Sequence, residues 1–399
     1  MASSINATTS SGVVTTADNS GILNLQSNGV TQATISSSGL SLPNNATLNT
    51  ANTFGFKNRF INGSFNINQY NLGTVTPTGN QYIIDRWFSN VTTASKYSVA
   101  QSTVAPAGFT NSALITSTSA YSVVAGDYES FQQRIEANNM TDIGWGTANA
   151  KTVTLSFWVN CSLTGTFGGS LYFPASTTRT YPFSYTISSA NTWQQISVTI
   201  PGDTVTNTAP TGTNIYVLVQ WSLGAGSTYT TSTTGWQNGN FLSPTGCTNL
   251  VGTSGATLYI TGAQLEVGSQ ATSFDFRSFG TELGLCQRYF YKTFALGTAP
   301  ASGAGQVGAL ICPQGAGGSA SGNAYSLTWQ FKVPMRTAPT ISLYNTNTTG
   351  SNWYDSSGSS ATTSGATNTS EFSTMIYNVS AAATANVNAV IHATASAEL

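Results

Sequence analysis

Charged residues are scarce in this chain: Asp, Glu, Lys and Arg make up 6% of its 399 residues, and His392 is its one histidine. Globular domains average about 25% charged residues. The formal net charge is −1, and the 12 basic residues are scattered along the chain. Nucleic acids and anionic membranes are bound by clustered basic residues. The composition therefore argues against a nucleic-acid partner, and it suits a metabolic enzyme poorly.

Targeting segments and metal-binding motifs are missing as well. The first residues, MASSINATTSSG, have neither the basic nor the apolar region of a secretory signal. No apolar run approaches the ~20 residues of a membrane helix. The cysteines, Cys161, Cys247, Cys286 and Cys312, form no CxxC pair, which argues against zinc. We expect synthesis in a cytoplasm without a signal peptide, no membrane insertion, and no metal or cofactor. The thiols are expected to be buried and free, with a Cys161–Cys247 disulfide left open.

Large apolar residues, by contrast, are abundant. Hydrophobic residues make up 40% of the chain, and they include 19 Phe, 17 Tyr and 8 Trp. A disordered polar chain would be poor in such residues. Aromatic and β-branched residues favour strands, and no long segment has helical periodicity. The sequence therefore predicts an all-β protein, and its length predicts more than one unit.

Residues 1–56 form the first predicted unit. Apolar and polar residues alternate at Leu23 and Leu25 and again at Leu40 and Leu42, between glycines. This pattern predicts short strands joined by tight turns. The segment has too few apolar residues for a core of its own. We therefore predict an attachment or shaft segment wound from three copies of the chain, with a free tail as the alternative.

Residues 57–278 are predicted to form a central β-sandwich, because many short alternating runs are separated by turn residues. In a strand, alternate side chains point to the same face. The residues predicted to face the core are Val153, Leu155, Phe157 and Val159; Ile196, Val198 and Ile200; Ile215, Val217, Val219, Trp221 and Leu223; and Leu258 and Ile260.

The remainder of the chain contains a linker and a second unit. Residues 279–293 hold the only compact stretch of mixed charge, with Glu282 and Arg288, and are predicted to be a linker with a short helix. Residues 294–399 return to alternating runs and predict a smaller C-terminal β-sandwich. Its loops at 298–305 and 345–370 are rich in small polar residues.

Several segments together resemble a known protein family. They are FKNRFINGSFNINQ (56–69), YIIDRWFS (82–89), YESFQQRIE (128–136), WGTANAKTVTLSFWVN (145–160), TWQQISVTIPGDT (192–204), LYITGAQLEVGSQATSFDFRSFGTELGLCQRYF (258–290), VPMRTAPTISLYN (333–345) and the terminal HATASAEL. Their order resembles a module of tail-fibre and other virion proteins of tailed phages, cyanophages among them. The larger part is similar to a jelly-roll of the carbohydrate-binding-module type. LNLQSNGVTQATISSSGLSL is similar to shaft or attachment segments of phage fibres.

The resemblance implies a virion structural protein that is not an enzyme. It would be a homotrimeric tail fibre or receptor-binding appendage that mediates adhesion to the host surface. Its implied partners are further copies of itself, other virion proteins through residues 1–56, and a host-surface glycan or protein. A head fibre or capsid decoration protein, a polysaccharide depolymerase spike and a free carbohydrate-binding module remain as alternatives. Host, receptor and position on the virion stay open.

Catalytic groups are few. A Ser-His-Asp triad would have to use His392, which lies in an alternating strand and is expected to be structural. A glycosidase needs two carboxyl groups within ~5–10 Å of each other. The nearest pairs in sequence are Asp127 with Glu129, and Glu136 with Asp142. We predict no catalytic residues and expect the first pair to be solvated beside the start of a strand.

Ligand-binding candidates come from aromatic residues in polar loops, which suit glycan stacking or protein docking. Trp353, Tyr354 and Asp355 lie in the 345–370 loop, and Trp236 lies in TTGWQNGN. The alternative is that these aromatic residues pack on their own sandwich.

The resemblance also raises a structural calcium ion, as carbohydrate-binding jelly-rolls often hold one. Asn62, Gln264 and Glu266 would be the candidate ligands. Calcium prefers several carboxylate and carbonyl oxygens, and these residues offer no dense acidic cluster. No metal site is predicted.

Overall fold

The structure is a computed structural model. It describes residues 3–8, 12–16, 20–27, 30–37, 39–41, 47–48, 56–313, 326–355, 364–378 and 388–399. Over these residues the chain is built of strands, with one α-helix and a few short 3₁₀ turns, which confirms the all-β prediction. No helix in this part of the chain is long and apolar enough to cross a membrane.

The N-terminal strands form one sheet. The strands are β1 (Ser3–Thr8), β2 (Gly12–Thr16), β3 (Leu23–Ser27), β4 (Val30–Ser36), β5 (Gly39–Ser41) and β6 (Thr47–Leu48). Their order is β2-β1-β3-β4-β5-β6. The β1–β3 pair is parallel and the other pairs are antiparallel. The short strands are as predicted, although Leu42 lies outside the described residues.

A sandwich of two antiparallel sheets follows. Its strands are β7 (Gln81–Ile84), β8 (Trp87–Asn90), β9 (Tyr97–Ser102), β10 (Ser112–Ser117), β11 (Tyr128–Glu136), β12 (Val153–Cys161), β13 (Gly165–Phe173), β14 (Arg179–Ile187), β15 (Gln194–Ile200), β16 (Ile215–Ala225), β17 (Thr230–Thr231), β18 (Gln237–Asn238), β19 (Ser243–Pro244) and β20 (Thr257–Val267). One sheet has five strands in the order β15-β12-β20-β10-β9. The other has seven, in the order β18-β14-β13-β16-β11-β8-β7. Strands β17 and β19 form a separate short parallel pair.

The core between the two sheets matches the predicted alternation. The inward residues of β12 and β20 have no exposed surface, and Val217, Val219, Trp221 and Leu223 of β16 are equally buried. Ile196 and Val198 are only partly buried, because β15 is the edge strand of its sheet. Residues 56–63 run alongside β20, where the Arg59 amide donates to Leu265 O at 2.9 Å. The sandwich is thereby closed by its first and last segments.

The helix α1 (Phe279–Gln287) begins in the predicted linker. The Ser278 hydroxyl accepts a hydrogen bond from the Thr281 amide, and Glu282 lies in the first turn, where a carboxylate suits the positive end of a helix. The strands that follow are β21 (Phe290–Lys292), β22 (Leu310–Pro313), β23 (Ser326–Gln330), β24 (Thr340–Tyr344), β25 (Tyr354–Asp355), β26 (Ser364–Thr367), β27 (Ser373–Asn378) and β28 (Asn388–Ser396).

The C-terminal unit is a small sandwich centred on β28. Strands β21, β22, β24 and β25 all pair with β28, and β23-β27-β26 form a second sheet. Between them lies a core that includes Trp329, Met335, Trp353, Ile376 and Ile391. This is the smaller sandwich that the sequence predicted.

A buried ion pair connects the two sandwiches. Arg86 in the β7–β8 turn pairs with Glu398, and both side chains are almost wholly buried. Asp85 precedes Arg86 in sequence but does not pair with it, because the Asp85 carboxylate accepts hydrogen bonds from Gln69. Burial raises the pKa of Asp85 to about 6. Charges that the sequence shows as isolated are thus brought together by the contact between units.

Candidate functional site

A cleft of about 310 Å³ opens on the outer face of the seven-stranded sheet. Its lining consists of three tyrosines, three amide residues, one threonine and one leucine: Tyr128, Tyr172, Tyr229, Asn90, Gln220, Asn240, Thr92 and Leu218. None of these side chains is charged. We call it the tyrosine–amide cleft.

Strand alternation places the floor of this cleft. On β16, Val219 and Trp221 face the core, so Gln220 between them points outward. On β13, Leu171 and Phe173 are buried in the core, so Tyr172 points outward. The register pairs Ser170 of β13 with Gln220 of β16, and Tyr172 with Leu218. The same alternation that builds the core therefore builds the cleft on its other side.

Hydrogen bonds hold the central amide in one orientation. The Tyr128 hydroxyl donates to Gln220 Oε1 at 2.6 Å, and Gln220 Nε2 donates to Ser170 Oγ at 3.2 Å. Burial raises the pKa of Tyr128, so its hydroxyl stays a donor. Gln132 stands beside Gln220 in the ladder, and its buried Nε2 has no hydrogen-bond partner among the described residues. The buried Gln220 amide is thus held in one orientation beneath the cleft.

The aromatic rings differ in exposure. Tyr128 is almost fully buried and meets the Tyr229 ring edge to face, with centroids 4.9 Å apart. Tyr229 and Tyr172 are partly exposed. The buried Tyr128 ring supports the partly exposed Tyr229 ring and gives a firm apolar surface beside polar groups. Such a cleft can stack against a ring-shaped ligand and hydrogen-bond its hydroxyl groups.

Two carboxyl groups flank Tyr128 in sequence but do not line the cleft. Glu129 is fully buried, and its Oε1 accepts from Thr92 Oγ1 at 3.0 Å and from the Thr93 amide at 2.8 Å. Asp127 is buried too and accepts from the Tyr121 hydroxyl at 2.8 Å. The expectation of a solvated pair is therefore wrong.

The titration of Glu129 is unusual. Burial raises its pKa to about 7, although hydrogen bonds from Thr93 and Thr92 lower it in part. Its Oε2 has no partner among the described residues. Glu136 and Asp142, the other pair considered from the sequence, have separate partners. Glu136 forms an ion pair with Arg288, and Asp142 forms one with Arg59.

The residues that the sequence put forward as ligand contacts lie elsewhere. Trp353 has no exposed surface and belongs to the core of the C-terminal sandwich. Tyr354 is partly buried, and the backbone of Tyr354 and Asp355 pairs with β28. The structure thus places Trp353 where the alternative interpretation put it, on its own sandwich. Part of the loop, residues 356–363, lies outside the described residues.

Trp236 is also held by its own unit. Its ring meets Trp145 edge to face at 4.9 Å between centroids, and its indole Nε1 donates to Pro201 O at 2.7 Å. Trp236 packs partly buried against the central core. This is the packing that the sequence left as the alternative to ligand contact.

The remaining chemical candidates are engaged in the fold. His392 is buried, its ring stacks on Phe294 at 3.9 Å, and its nitrogens contact Thr293 and Gly305. Glu266 accepts from the amide and hydroxyl of Thr272, so it is occupied by protein donors rather than open to calcium. Among the described residues no group of three or more His, Cys, Asp or Glu could hold a metal ion. All four cysteines are free, three of them buried.

Sequence reasoning missed Tyr128, Tyr172, Tyr229 and Gln220. The sequence contained a signal for two of them. Tyr172 and Gln220 lie at outward-facing positions of strands whose inward-facing positions are apolar. An aromatic ring and an amide on an outward face suggest a ligand surface. Which outward residues meet across strands depends on sheet order, and that order is not readable from alternation.

Comparisons with known proteins give structural similarities alone. No protein-family model and no curated protein matches the sequence. The enzymatically active domain of tailspike protein 4 from Bacteriophage CBA120 is 13% identical with a TM-score of 0.28, over 53% of this chain and 21% of that chain. A CBM4 structure is 16% identical with a TM-score of 0.27, over 52% of this chain and 98% of that chain. A putative sugar binding protein from Bacteroides thetaiotaomicron is 12% identical with a TM-score of 0.32, over 53% of this chain and 100% of that chain.

Proposed function

We propose that this chain is a non-catalytic, glycan-binding protein of a phage virion and that the tyrosine–amide cleft is its ligand site. The observation that carries the binding site is the preset group formed by Tyr128, Gln220 and Ser170 beside the partly exposed Tyr172 and Tyr229. The Gln220 amide is buried and held by two partners, so it fixes the floor of the cleft, while the partly exposed rings offer stacking faces. Because the lining is uncharged, the cleft suits neutral saccharides better than acidic ones.

The virion assignment rests on the sequence. The charge-poor composition and the ordered set of fibre-like segments support a tail fibre or receptor-binding appendage on the virion surface, assembled as a homotrimer. Residues 1–56 would attach it to other virion proteins. Leu25 and Ile35 of the N-terminal sheet are 36% and 43% exposed, and self-assembly would cover them. Adhesion would then gain strength because three weak sites act together. A head fibre or capsid decoration protein is the second candidate position.

Binding to the cleft is tested with the purified full chain on a panel of neutral and acidic polysaccharides. Changing Tyr172 and Tyr229 together to Ala should weaken binding to the best neutral glycan at least tenfold, about 1.4 kcal/mol. Tyr259→Ala is the matched control, because Tyr259 is a partly buried tyrosine on the five-stranded sheet. Equal losses in both variants, or no loss in the double variant, would place binding outside the cleft.

The absence of catalysis is tested on the same polysaccharides. We expect their chain length to stay unchanged after long incubation, because Glu129 is enclosed by the sheet and does not line the cleft. A depolymerase would shorten them. If shortening occurs and disappears in Glu129→Gln or Asp127→Asn, the protein is a depolymerase spike.

A further inference from the structure

A second open recess lies beside the tyrosine–amide cleft, where the central sandwich meets the C-terminal unit. Its volume is about 620 Å³. Its polar lining residues are Ser176, Thr208, Asn214 and Arg336. The others are aliphatic: Pro174, Ala175, Ala209, Pro210, Ile215 and Leu399. The lining contains no aromatic side chain, in contrast to the cleft. We call it the junction recess.

The junction recess continues the tyrosine–amide cleft along the same strands. Tyr172 lines the cleft near the end of β13, and Pro174, two residues further on, lines the recess. Leu218 of β16 lines the cleft and is paired in register with Arg134 of β11. Arg134 Nη1 donates to Leu399 O at 2.6 Å, and Leu399 lines the recess. Since a strand rises about 3.3 Å per residue, one oligosaccharide can reach both sites.

Hydrogen bonds join the two loops that form one wall of the recess. The Ser176 amide donates to Thr208 O at 3.0 Å, and Ser176 Oγ donates to Asn207 Oδ1 at 2.6 Å. Asn207 Nδ2 in turn donates to Thr177 O at 2.6 Å. Loops that are held in this way need little ordering when a ligand enters, so more of the contact energy appears as affinity. This wall of the recess is therefore preformed.

Arg336 of the C-terminal unit lies on the other side of the recess. Its Nε donates to Ala397 O at 2.6 Å, its Nη1 to Thr213 O at 2.9 Å and its Nη2 to Glu398 O at 2.8 Å. A guanidinium carries five N–H donors, and three of those of Arg336 are used in these bonds. The side chain is partly exposed. Its remaining donors can therefore serve a carbonyl oxygen of a ligand in the recess.

This lining favours a substituent over a bare sugar ring. A bare saccharide presents hydroxyl groups, and burying them against aliphatic walls without hydrogen bonds costs free energy. Without aromatic rings the recess also offers no stacking face. An acetyl group presents a methyl group, which aliphatic walls favour, and a carbonyl oxygen, which accepts hydrogen bonds from a guanidinium. An acetyl substituent on a chain bound in the cleft therefore fits both parts of the lining.

We propose that the junction recess binds the acetyl group of an acetamido sugar whose neighbouring residue stacks in the tyrosine–amide cleft. The ligand class is a neutral oligosaccharide with N-acetylated residues. This inference rests on the proposed glycan-binding function and adds the substituent that the glycan carries. The aliphatic wall at Ala209 and Ile215 receives the methyl group, and Arg336 donates to the carbonyl oxygen.

Two tetrasaccharides test the recess on the full chain. Chitotetraose and cellotetraose share one backbone and one linkage, and they differ in the acetamido group that replaces one hydroxyl of each ring. In titration calorimetry the wild type should bind chitotetraose at least tenfold more tightly than cellotetraose, a difference of about 1.4 kcal/mol. A recess that accepts the acetyl group supplies this preference, whereas the cleft alone does not.

Filling the recess should abolish the preference. Ala209→Leu places a larger side chain in the recess and should leave the affinity for cellotetraose unchanged. Ala175→Leu fills the same recess from the end of β13 and replaces Ala209→Leu if that variant is not folded. The matched control is Ala190→Leu, because Ala190 is an exposed alanine between β14 and β15; it should keep the preference. Thermal melting checks that each variant is folded.

Saturation-transfer NMR gives an independent readout of the acetyl contact. With chitotetraose and the wild type, the acetyl methyl protons should receive the strongest saturation of all ligand protons. Ala209→Leu should remove that difference, and Ala190→Leu should keep it. A pattern in which the ring protons are saturated most strongly in the wild type would place the acetyl groups in solvent and overturn the proposal.

The calorimetric outcomes separate the recess from the cleft. Equal affinity of the wild type for both tetrasaccharides, or a preference that survives in the filled variants, overturns the recess. The cleft stands in that case if changing Tyr172 and Tyr229 to Ala weakens the binding of both. Tighter binding of tetragalacturonate than of chitotetraose would give Arg336 a carboxylate partner and overturn the acetyl assignment. No binding of chitotetraose at millimolar concentration overturns it as well, and the polysaccharide panel then decides on the cleft alone.

Discussion

The Tyr128 hydroxyl donates a 2.6 Å hydrogen bond to Gln220 Oε1 across two neighbouring strands on the outer face of the seven-stranded sheet. The bond sets which end of the amide faces Ser170 and which end the tyrosine. The bond therefore fixes the orientation of the buried Gln220 amide beneath the cleft. Removing it should affect both stability and binding.

Tyr128→Phe keeps the ring and its edge contact with Tyr229 but removes the donor. We expect a loss of about 1 kcal/mol in the free energy of unfolding, since Gln220 Oε1 would be buried without its partner. Glycan affinity should fall as well, because the Gln220 amide could rotate. Denaturant unfolding and titration calorimetry measure the two effects. An unchanged affinity would show that the orientation of the amide does not matter to the ligand.

The ionisation of Glu129 should make the free energy of unfolding depend on pH. Its pKa rises from 4.5 when unfolded to about 7 when folded, because burial penalises the charged form. The folded protein therefore binds more protons between these values, and the free energy of unfolding falls as pH rises from about 4.5 to about 7. Glu129→Gln should be as stable as the wild type at pH 4.5 and more stable at pH 8.

Glu136 is the control with the opposite sign. Burial alone would raise its pKa, but hydrogen bonds from Arg288 and Tyr289 outweigh burial and lower it. Glu136 therefore stabilises the fold above its unfolded pKa of 4.5, and this contribution is lost as pH falls. Glu136→Gln should destabilise at pH 7 and converge with the wild type in acid. If the stabilities of Glu129→Gln and Glu136→Gln relative to the wild type change with pH in the same direction, the opposite pKa shifts given for Glu129 and Glu136 are wrong.

Trp353→Ala should cost about 3–5 kcal/mol, because a fully buried tryptophan leaves a large cavity. Phe372→Ala removes an exposed ring of the same unit and should cost little. Thermal melting separates the two. If Trp353→Ala melts like the wild type while virion adsorption falls, this tryptophan contacts a receptor after all.

Arg86→Met tests the contact between the sandwiches. It removes the partner of the buried Glu398 and the hydrogen bond to Arg134 O, so we expect a loss of about 3–5 kcal/mol. Arg59→Met is the control, because the side chain of its partner Asp142 is 49% exposed; exposed pairs contribute about 0–1 kcal/mol. If Arg86→Met loses no more stability than Arg59→Met in denaturant unfolding, the Arg86–Glu398 pair does not hold the two sandwiches together.

Deleting residues 1–56 should leave both sandwiches folded and abolish incorporation into virions. The reason is that the central and C-terminal cores contain no residue of the N-terminal sheet. Immunoblotting of purified particles measures incorporation, and circular dichroism measures folding. Particles that still carry the truncated chain would show that attachment lies elsewhere in the protein.

Local sequence determined the strands and their inward faces. The alternation at Val153, Leu155 and Phe157 predicted a buried row, because side chains in a strand alternate between the two faces whatever the rest of the fold does. The mixed-charge stretch around Glu282 likewise predicted the short helix, since capping and first-turn charge are local. Composition alone excluded large basic surfaces.

Tertiary structure decided where the site lies. Tyr128, Tyr172 and Gln220 belong to three strands that become neighbours only in the order β13-β16-β11, and Tyr229 reaches them from a loop. Loop composition suggested Trp353 instead, but whether an aromatic side chain in a loop points to solvent depends on the cavity that its own sandwich leaves open. Strand periodicity acts over two residues, whereas the cleft and the Arg86–Glu398 pair join residues far apart in sequence, and only the packed sheets bring those residues together.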